Sequence, residues 1–197
     1  MPKVIDHDQR RREIIDVTWG LIVKGGIEAA TMREIAAEAG FANGALKHYF
    51  PGKDEIIEGA YERSLNRLGD ILVEAMAGKH GLDGLRTMMT VTMPIDDEDV
   101  TAGKVLLSFW ERAAFNDELH ASYRKHLTVW REGLEQYLRE GREAGEIITE
   151  VPDEQLIDEI VLVNAGATIM RVIAPETTTA ELLHRHVDTF IERLTRP

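Results

Sequence analysis

The chain has 197 residues, 44% hydrophobic and 29% charged, which supplies enough apolar side chain for a buried core and excludes disorder as its native condition. Against 35 Asp and Glu stand 23 Lys and Arg, a formal net charge of −12, so bulk attraction to nucleic acid or to an anionic membrane is excluded and any such contact must come from a local patch. The absence of cysteine removes disulfides, thiolate metal sites and thiol nucleophiles, and fits a reducing compartment.

The opening stretch MPKVIDHDQRRR is charged and lacks the apolar core of a secretory signal. The uncharged run Ile160 to Met170 falls well short of the ~20 residues of a membrane span, so a cytoplasmic protein is expected. In residues 10–24, Ile14, Ile15, Val17, Leu21 and Ile22 recur at helical intervals. Arg10, Arg11, Arg12, Glu13 and Asp16 take the other side. The three arginines read as a solvated face of this first helix, with a minor-groove arm as the alternative. Gly25-Gly26 is expected to end it.

Thr31 and Glu34 have the spacing of a capping box and open a short helix that runs to Ala39. Gly40 breaks it, and a second short helix follows from Asn43 to Tyr49. Windows rich in Ala, Leu, Glu and Arg predict further helices over 54–77, 81–93, 98–115, 118–144, 153–173 and 179–195. Asp96–Asp99 places negative charge at a helix start, and Thr178 to Glu181 has capping-box spacing at the last one. The expectation is an all-α fold of about nine helices.

Residues 31–50 thus carry a helix-turn-helix pattern. Ile35, Ala36, Ala39, Leu46, Tyr49 and Phe50 are expected to face Ile14, Val17 and Leu21 of the first helix. That leaves Ala42, Asn43, Ala45, Lys47 and His48 pointing out, a surface suited to the major groove. Charge supports the division: up to Lys53 there are 8 Lys or Arg and 7 acids, and beyond it 15 and 28. A DNA-binding domain over 1–52 and a ligand-binding and dimerisation domain over 53–197 are expected.

Within the larger part, large side chains cluster mid-chain. Most belong to a core, yet Met beside Trp is also the composition of a pocket for an apolar or cationic molecule. Met89, Met93, Trp110, Phe115 and Trp130 are its candidate lining, with Asn164 either a satisfied core amide or a hydrogen-bond donor to the ligand. The last two helices hold more apolar surface than one partner helix covers. A two-fold homodimer is expected there, through Ile160, Ala167, Met170, Leu183 and Phe190. No nucleophile motif, phosphate loop or metal-ligand spacing stands out; His184 and His186 are two apart on a helix and cannot chelate one ion. Catalytic residues, metal and cofactor are therefore not expected.

The stretch TMREIAAEAGFANGALKHYFPGKDEII resembles the N-terminal signature of TetR-family one-component transcriptional repressors. The stretch KVLLSFWERAAFNDELHASYRKHLTVWREGL is similar to the body of BetI-like repressors. The resemblance implies that a small effector held among the central helices releases operator DNA, and that a cationic molecule such as choline is the effector class to consider. Carried over position by position, it places Thr31 and Arg33 on phosphate or a base edge, and Asn43, Ala45 and Lys47 on base edges. His48, Tyr49 and Lys53 fall on phosphate, and Gly44 allows close approach of the backbone. Two positions depart from the family pattern: Ala42 replaces a capping Ser or Thr, a role Asn43 is expected to take over, and Lys47 replaces a frequent Tyr. The competing class is a helical small-molecule binder or enzyme whose N-terminal module is only structural.

Overall fold

The computed structural model describes residues 6–42 and 44–196. Among them the chain forms eight α-helices, one 3-10 turn and no strand. They are α1 His7–Ala29, α2 Met32–Glu38, the turn Ala45–His48, α3 Lys53–Ala75, α4 Gly81–Thr92, α5 Asp97–Ala113, α6 Asp117–Glu143, α7 Asp153–Ile173 and α8 Ala180–Leu194. The all-α reading holds, eight of the nine expected helices have an α-helical counterpart, and the element expected at 43–49 is the 3-10 turn. Two compact units are present: one runs to Asn66 and takes in Lys104–His120, the other comprises Arg67–Gly103 and the chain from Ala121 onward.

In the first unit α1 begins at Asp6, whose carboxylate accepts from the Gln9 N–H at 3.0 Å. Its inward face is Ile14, Thr18 and Ile22, all buried at four-residue spacing, and the Thr18 hydroxyl donates to the Ile14 carbonyl at 2.8 Å. Gly25 and Gly26 leave helical geometry, but one more turn follows to Ala29. The pair therefore kinks the helix where the sequence suggested an end. Thr31 caps α2 by accepting from the Glu34 N–H at 3.2 Å. Ile35 and Ala36 of α2, Leu46 and Phe50 around the turn, Ile56 and Ala60 of α3 and Val105 of α5 complete one core with Ile14 and Ile22. Burying each large side chain contributes about 1.5–3 kcal/mol relative to leaving it in water.

The start of α3 is pinned from two sides. The Lys53 ammonium donates to the Ile27 carbonyl at 2.9 Å, closing the last turn of α1. Asp54 accepts from Arg112 of α5 and, at 2.9 Å, from the Asn116 amide. The Asn116 side-chain oxygen in turn caps α6, accepting from the Glu118 and Leu119 N–H groups at 3.0 and 3.2 Å. Further along, Tyr61 of α3 stacks on Phe109 of α5 with centroids 3.9 Å apart.

The second unit has its own core, drawn from α4, α6, α7 and α8 and including Leu85, Met89, Leu134, Leu138, Leu156, Ile160, Leu183, Val187 and Phe190. His80 supplies no side-chain cap to α4; the Gly81 and Leu82 N–H groups donate instead to Glu140 and Glu146, at 3.0 and 2.8 Å. At Gly84 a Cβ would sit 2.4 Å from the Tyr137 ring, so only glycine lets α4 approach α6 there. Arg142 joins the end of α6 to the next loop and to α7, with bonds of 2.7 Å to Asp153 and to the Thr149 and Val151 carbonyls. The cap of α8 is Thr179, which accepts from the Leu182 N–H at 3.2 Å. Thr178, where the sequence spacing placed the cap, is buried one residue earlier.

Asp96 and Asp99 form a reciprocal cap at α5. The Asp99 N–H donates to Asp96 at 2.8 Å, and the Asp99 carboxylate accepts from the Ile95 and Asp96 N–H groups, both at 3.3 Å. Burial raises the Asp99 pKa above the ordinary aspartate value, with the neighbouring Asp96 charge adding to it and the backbone bonds opposing it. A raised carboxyl binds its proton more tightly in the folded chain, so its contribution to stability falls as pH rises through the window between the ordinary and the raised value. Asp99→Asn keeps an acceptor and removes that titration. Its stability relative to the wild-type chain, read from thermal melts between about pH 3 and about pH 6, is expected to rise with pH and then level off; a difference that is flat or falls with pH contradicts the assignment.

Candidate nucleic-acid interface

The two short elements of the first unit carry most of the candidate contact residues at exposed positions. Thr31, Arg33, Gly44, Lys47 and His48 are exposed, while Ala45 and Tyr49 are half-buried. Asn43, expected to read bases and cap the second element, lies outside the described residues. That element is a single 3-10 turn, not the α-helix that the sequence suggested. Gly44 directly before it has φ 94°, in the left-handed region that a right-handed helix cannot contain and that glycine alone enters without strain. Among the described residues no side chain caps the turn's N-terminus.

The candidate contact residues differ in how free they are. Lys47 and His48 point out from the last turn. Thr31 is committed to its cap, and the Arg33 guanidinium pairs with Glu34 at 3.0 Å. The hydrogen bond from Arg33 is the largest cause holding the Glu34 carboxyl below the usual range. Both side chains are well exposed, so the pair is worth little and yields readily to a phosphate. Lys53 is bonded to the Ile27 carbonyl and acts in the free protein as a strut.

Sequence reasoning missed the residues that hold the turn. Arg11, read as solvated, donates to the Tyr49 carbonyl and lies 4.0 Å from the Phe50 ring centroid. His7 stacks on Tyr49 at 4.7 Å, with Nε2 3.3 Å from the His48 carbonyl oxygen. Phe41 meets Tyr49 edge-on at 5.4 Å, under the Arg10 guanidinium. A signal was there: Arg11 and His7 continue the inward stripe of Ile14, Thr18 and Ile22 toward the N-terminus at three- and four-residue steps.

Two family models match the chain. Residues 14–60 match the model described as bacterial regulatory proteins, tetR family, and residues 82–196 match the C-terminal region of BetI-type transcriptional repressors. The second alone covers more than half the chain. The chain belongs to the tetR family, with a BetI-type C-terminal region. Among curated relatives, the HTH-type transcriptional regulator PksA of Bacillus subtilis is 35% identical over 113 residues, 55% of this chain and 54% of that protein. BetI 1 of Chromohalobacter salexigens is 31% identical over 121 residues, 60% of each chain. The match thus spans about half to three-fifths of these relatives. Among solved structures, a transcriptional regulator from Rhodococcus sp. Rha1 has TM-score 0.81 at 25% identity, covering 93% of this chain and 95% of that one. A regulator from Saccharomonospora viridis in complex with choline has TM-score 0.85 at 20% identity, with 94% and 96% covered, a likeness of fold.

The other candidate residues of this tetR-family chain are distributed more widely than the sequence suggested. Met89 and Met93 are fully buried in the core of the second unit and Trp130 packs against it. Trp110 and Phe115 belong to the first unit, and Phe115 is 92% exposed. The Asn164 amide donates to the Thr92 carbonyl at 2.8 Å, so it serves as the satisfied amide of the two roles considered. Ile160, Ala167, Leu183 and Phe190 are buried within the chain's own core, whereas Met170 is open. The apolar side chains left exposed along α7 and α8 are Leu162, Ile169, Met170, Ile173 and Leu182. From Ile160 onward helix α7 is apolar around most of its circumference, and periodicity alone did not say which side faces inward.

Lys53→Ala is expected to lower stability by about 1 kcal/mol through loss of a charge-assisted bond to the Ile27 carbonyl. Lys47→Ala, at an exposed site, should stay within about 0.5 kcal/mol of the wild type. Chemical denaturation of the two variants checks this, and equal losses would contradict the strut role of Lys53.

Proposed function

We propose that the chain is a sequence-specific DNA-binding repressor, not an enzyme, that acts as a homodimer in the cytoplasm and leaves its operator when a small molecule binds. The observation that carries this is the pair Lys47 and His48, exposed on a buttressed turn in an N-terminal segment that is near neutral although the chain as a whole is acidic. Each protomer would insert the turn into a major groove, and two-fold symmetry would demand two inverted half-sites. DNA contact is assigned to residues 1–52 and effector binding and dimerisation to 53–197. The open side chains Leu162, Ile169, Met170, Ile173 and Leu182 supply the dimer face.

The effector reading rests on the second unit, where Met88, Met89, Met93 and Trp130 gather polarisable side chains and an aromatic face. The choline-bound neighbour and the BetI-type C-terminal match support a cationic molecule. An effector that binds the DNA-incompetent arrangement more tightly would draw the dimer off DNA by population shift.

Selection from random-sequence DNA, followed by fluorescence anisotropy of the full-length protein with the recovered duplex, tests the reading. Binding that resists random competitor and weakens with salt, by about −0.9 in log–log slope per phosphate contacted, is expected. Lys47→Ala should cost about 1–3 kcal/mol on that duplex and relax the preference at one position of each half-site. Failure of selection to enrich any sequence would overturn the proposal in favour of a purely structural module.

A further inference from the structure

The turn Ala45–His48 has few bonds of its own: the Lys47 N–H donates to the Gly44 carbonyl at 3.3 Å, and the Tyr49 and Phe50 N–H groups donate to the Leu46 carbonyl at 2.8 and 2.9 Å. It is four residues long, follows a left-handed Gly44 and, among the described residues, has no side-chain cap, and a 3-10 turn of that length is marginal on its own hydrogen bonds. Its trailing carbonyls, of His48 and Tyr49, are of the kind a helical end leaves without N–H partners. Both are met by side chains of α1: His7 Nε2 faces the first, and the Arg11 guanidinium donates to the second. The Arg11 guanidinium carbon also lies 4.0 Å from the centroid of Phe50, a ring 1% exposed at the centre of the first unit's core. A single planar cation thus joins the C-terminal end of the turn to the core beneath it. Neither neighbouring arginine does this: Arg10 pairs with Glu13 at 2.6 Å, and Arg12 is exposed.

We propose that Arg11 is a positioning residue for DNA recognition, fixing where Lys47 and His48 point without itself touching the duplex. This rests on the operator-binding reading of the module. The guanidinium lies over the Phe50 ring while one of its N–H groups donates to the Tyr49 carbonyl, a combination that lysine does not reproduce. Removing it leaves the turn's charges in place but lowers the fraction of time the turn holds its binding geometry. Apparent affinity for a specific site falls by that fraction. Attraction to arbitrary phosphates does not depend on the geometry in this way.

Arg11→Lys keeps the charge and removes the stacked fork; Arg11→Ala removes both. The full-length variants are compared with wild type on the selected duplex and on a random duplex over a salt series, well below each melting temperature. Amide exchange of the DNA-free proteins is read at Lys47, Tyr49 and Phe50, with Ile35 in α2 as reference. Arg11→Lys is expected to lose about tenfold on the selected duplex, to stay within about twofold on the random one, and to keep the wild-type salt slope. Exchange at the three turn amides is expected to accelerate while Ile35 is unchanged. Full affinity for Arg11→Lys, with Arg11→Ala weakened on both duplexes and its slope reduced by about 0.9 per chain, would make Arg11 a phosphate contact and overturn the proposal. Unchanged exchange at the turn would also overturn it. Wild-type protein that does not prefer the selected duplex would overturn the regulator reading itself, an outcome distinct from preference retained by both variants.

Discussion

One turn of 3-10 helix, Ala45–His48, carries the outward Lys47 and His48, and a few short-range backbone bonds are all that hold it locally. Its position comes from behind. Leu46 and Phe50 anchor it in a core shared with Ile14, Ile22 and Ile35, and the Arg11 guanidinium bridges the Phe50 ring and the Tyr49 carbonyl. The long helix α1 is therefore the foundation of the module: its inward stripe builds the core, and the extension of that stripe toward the N-terminus clasps the turn. Charge adds a second constraint. Some 28 of the 35 acids lie beyond Lys53, against 15 Lys and Arg, so net charge favours phosphate at the module over the body.

The first turn of α3 ties these features to the rest of the first unit. Lys53 closes the end of α1, and on the next residue Asp54 gathers Arg112 and Asn116. Asn116 caps α6 with the same side chain that bonds Asp54. Any rotation of α3 about its start thus disturbs the end of α1 and the junction of α5 and α6 together. These bonds tie the start of α3 to the end of α1 and to the junction of α5 and α6 within the first unit.

Much of this was legible in the sequence. The all-α class, the helix order, the Thr31 cap, the inward Ile35, Ala36, Leu46 and Phe50, and the family all follow from periodicity, capping chemistry and the quoted motifs. What escaped shares a cause. Periodicity says that a helix has an inner face but not which partner meets it, so Arg11 passed for a solvated cation, and the resemblance gave Lys53 a phosphate, although each reaches a carbonyl far away in sequence. The same gap hid which side of the apolar α7 faces its own core. It also grouped Trp110 and Phe115 with Trp130, although they belong to different compact units. The 3-10 form of the turn and the placing of the last cap at Thr179 depended on local backbone geometry, which adjacent glycines and threonines leave undetermined.

The central claim is that a short turn, held from behind, reads the major groove twice in a two-fold complex. Methylation interference on the duplex recovered by selection tests it most directly, because guanine N7 lies in the major groove and adenine N3 in the minor groove. The account predicts guanine N7 interference in two clusters related by inversion, with adenine N3 methylation tolerated at the cluster centres. Interference confined to adenine N3, or a single unpaired cluster, would contradict it.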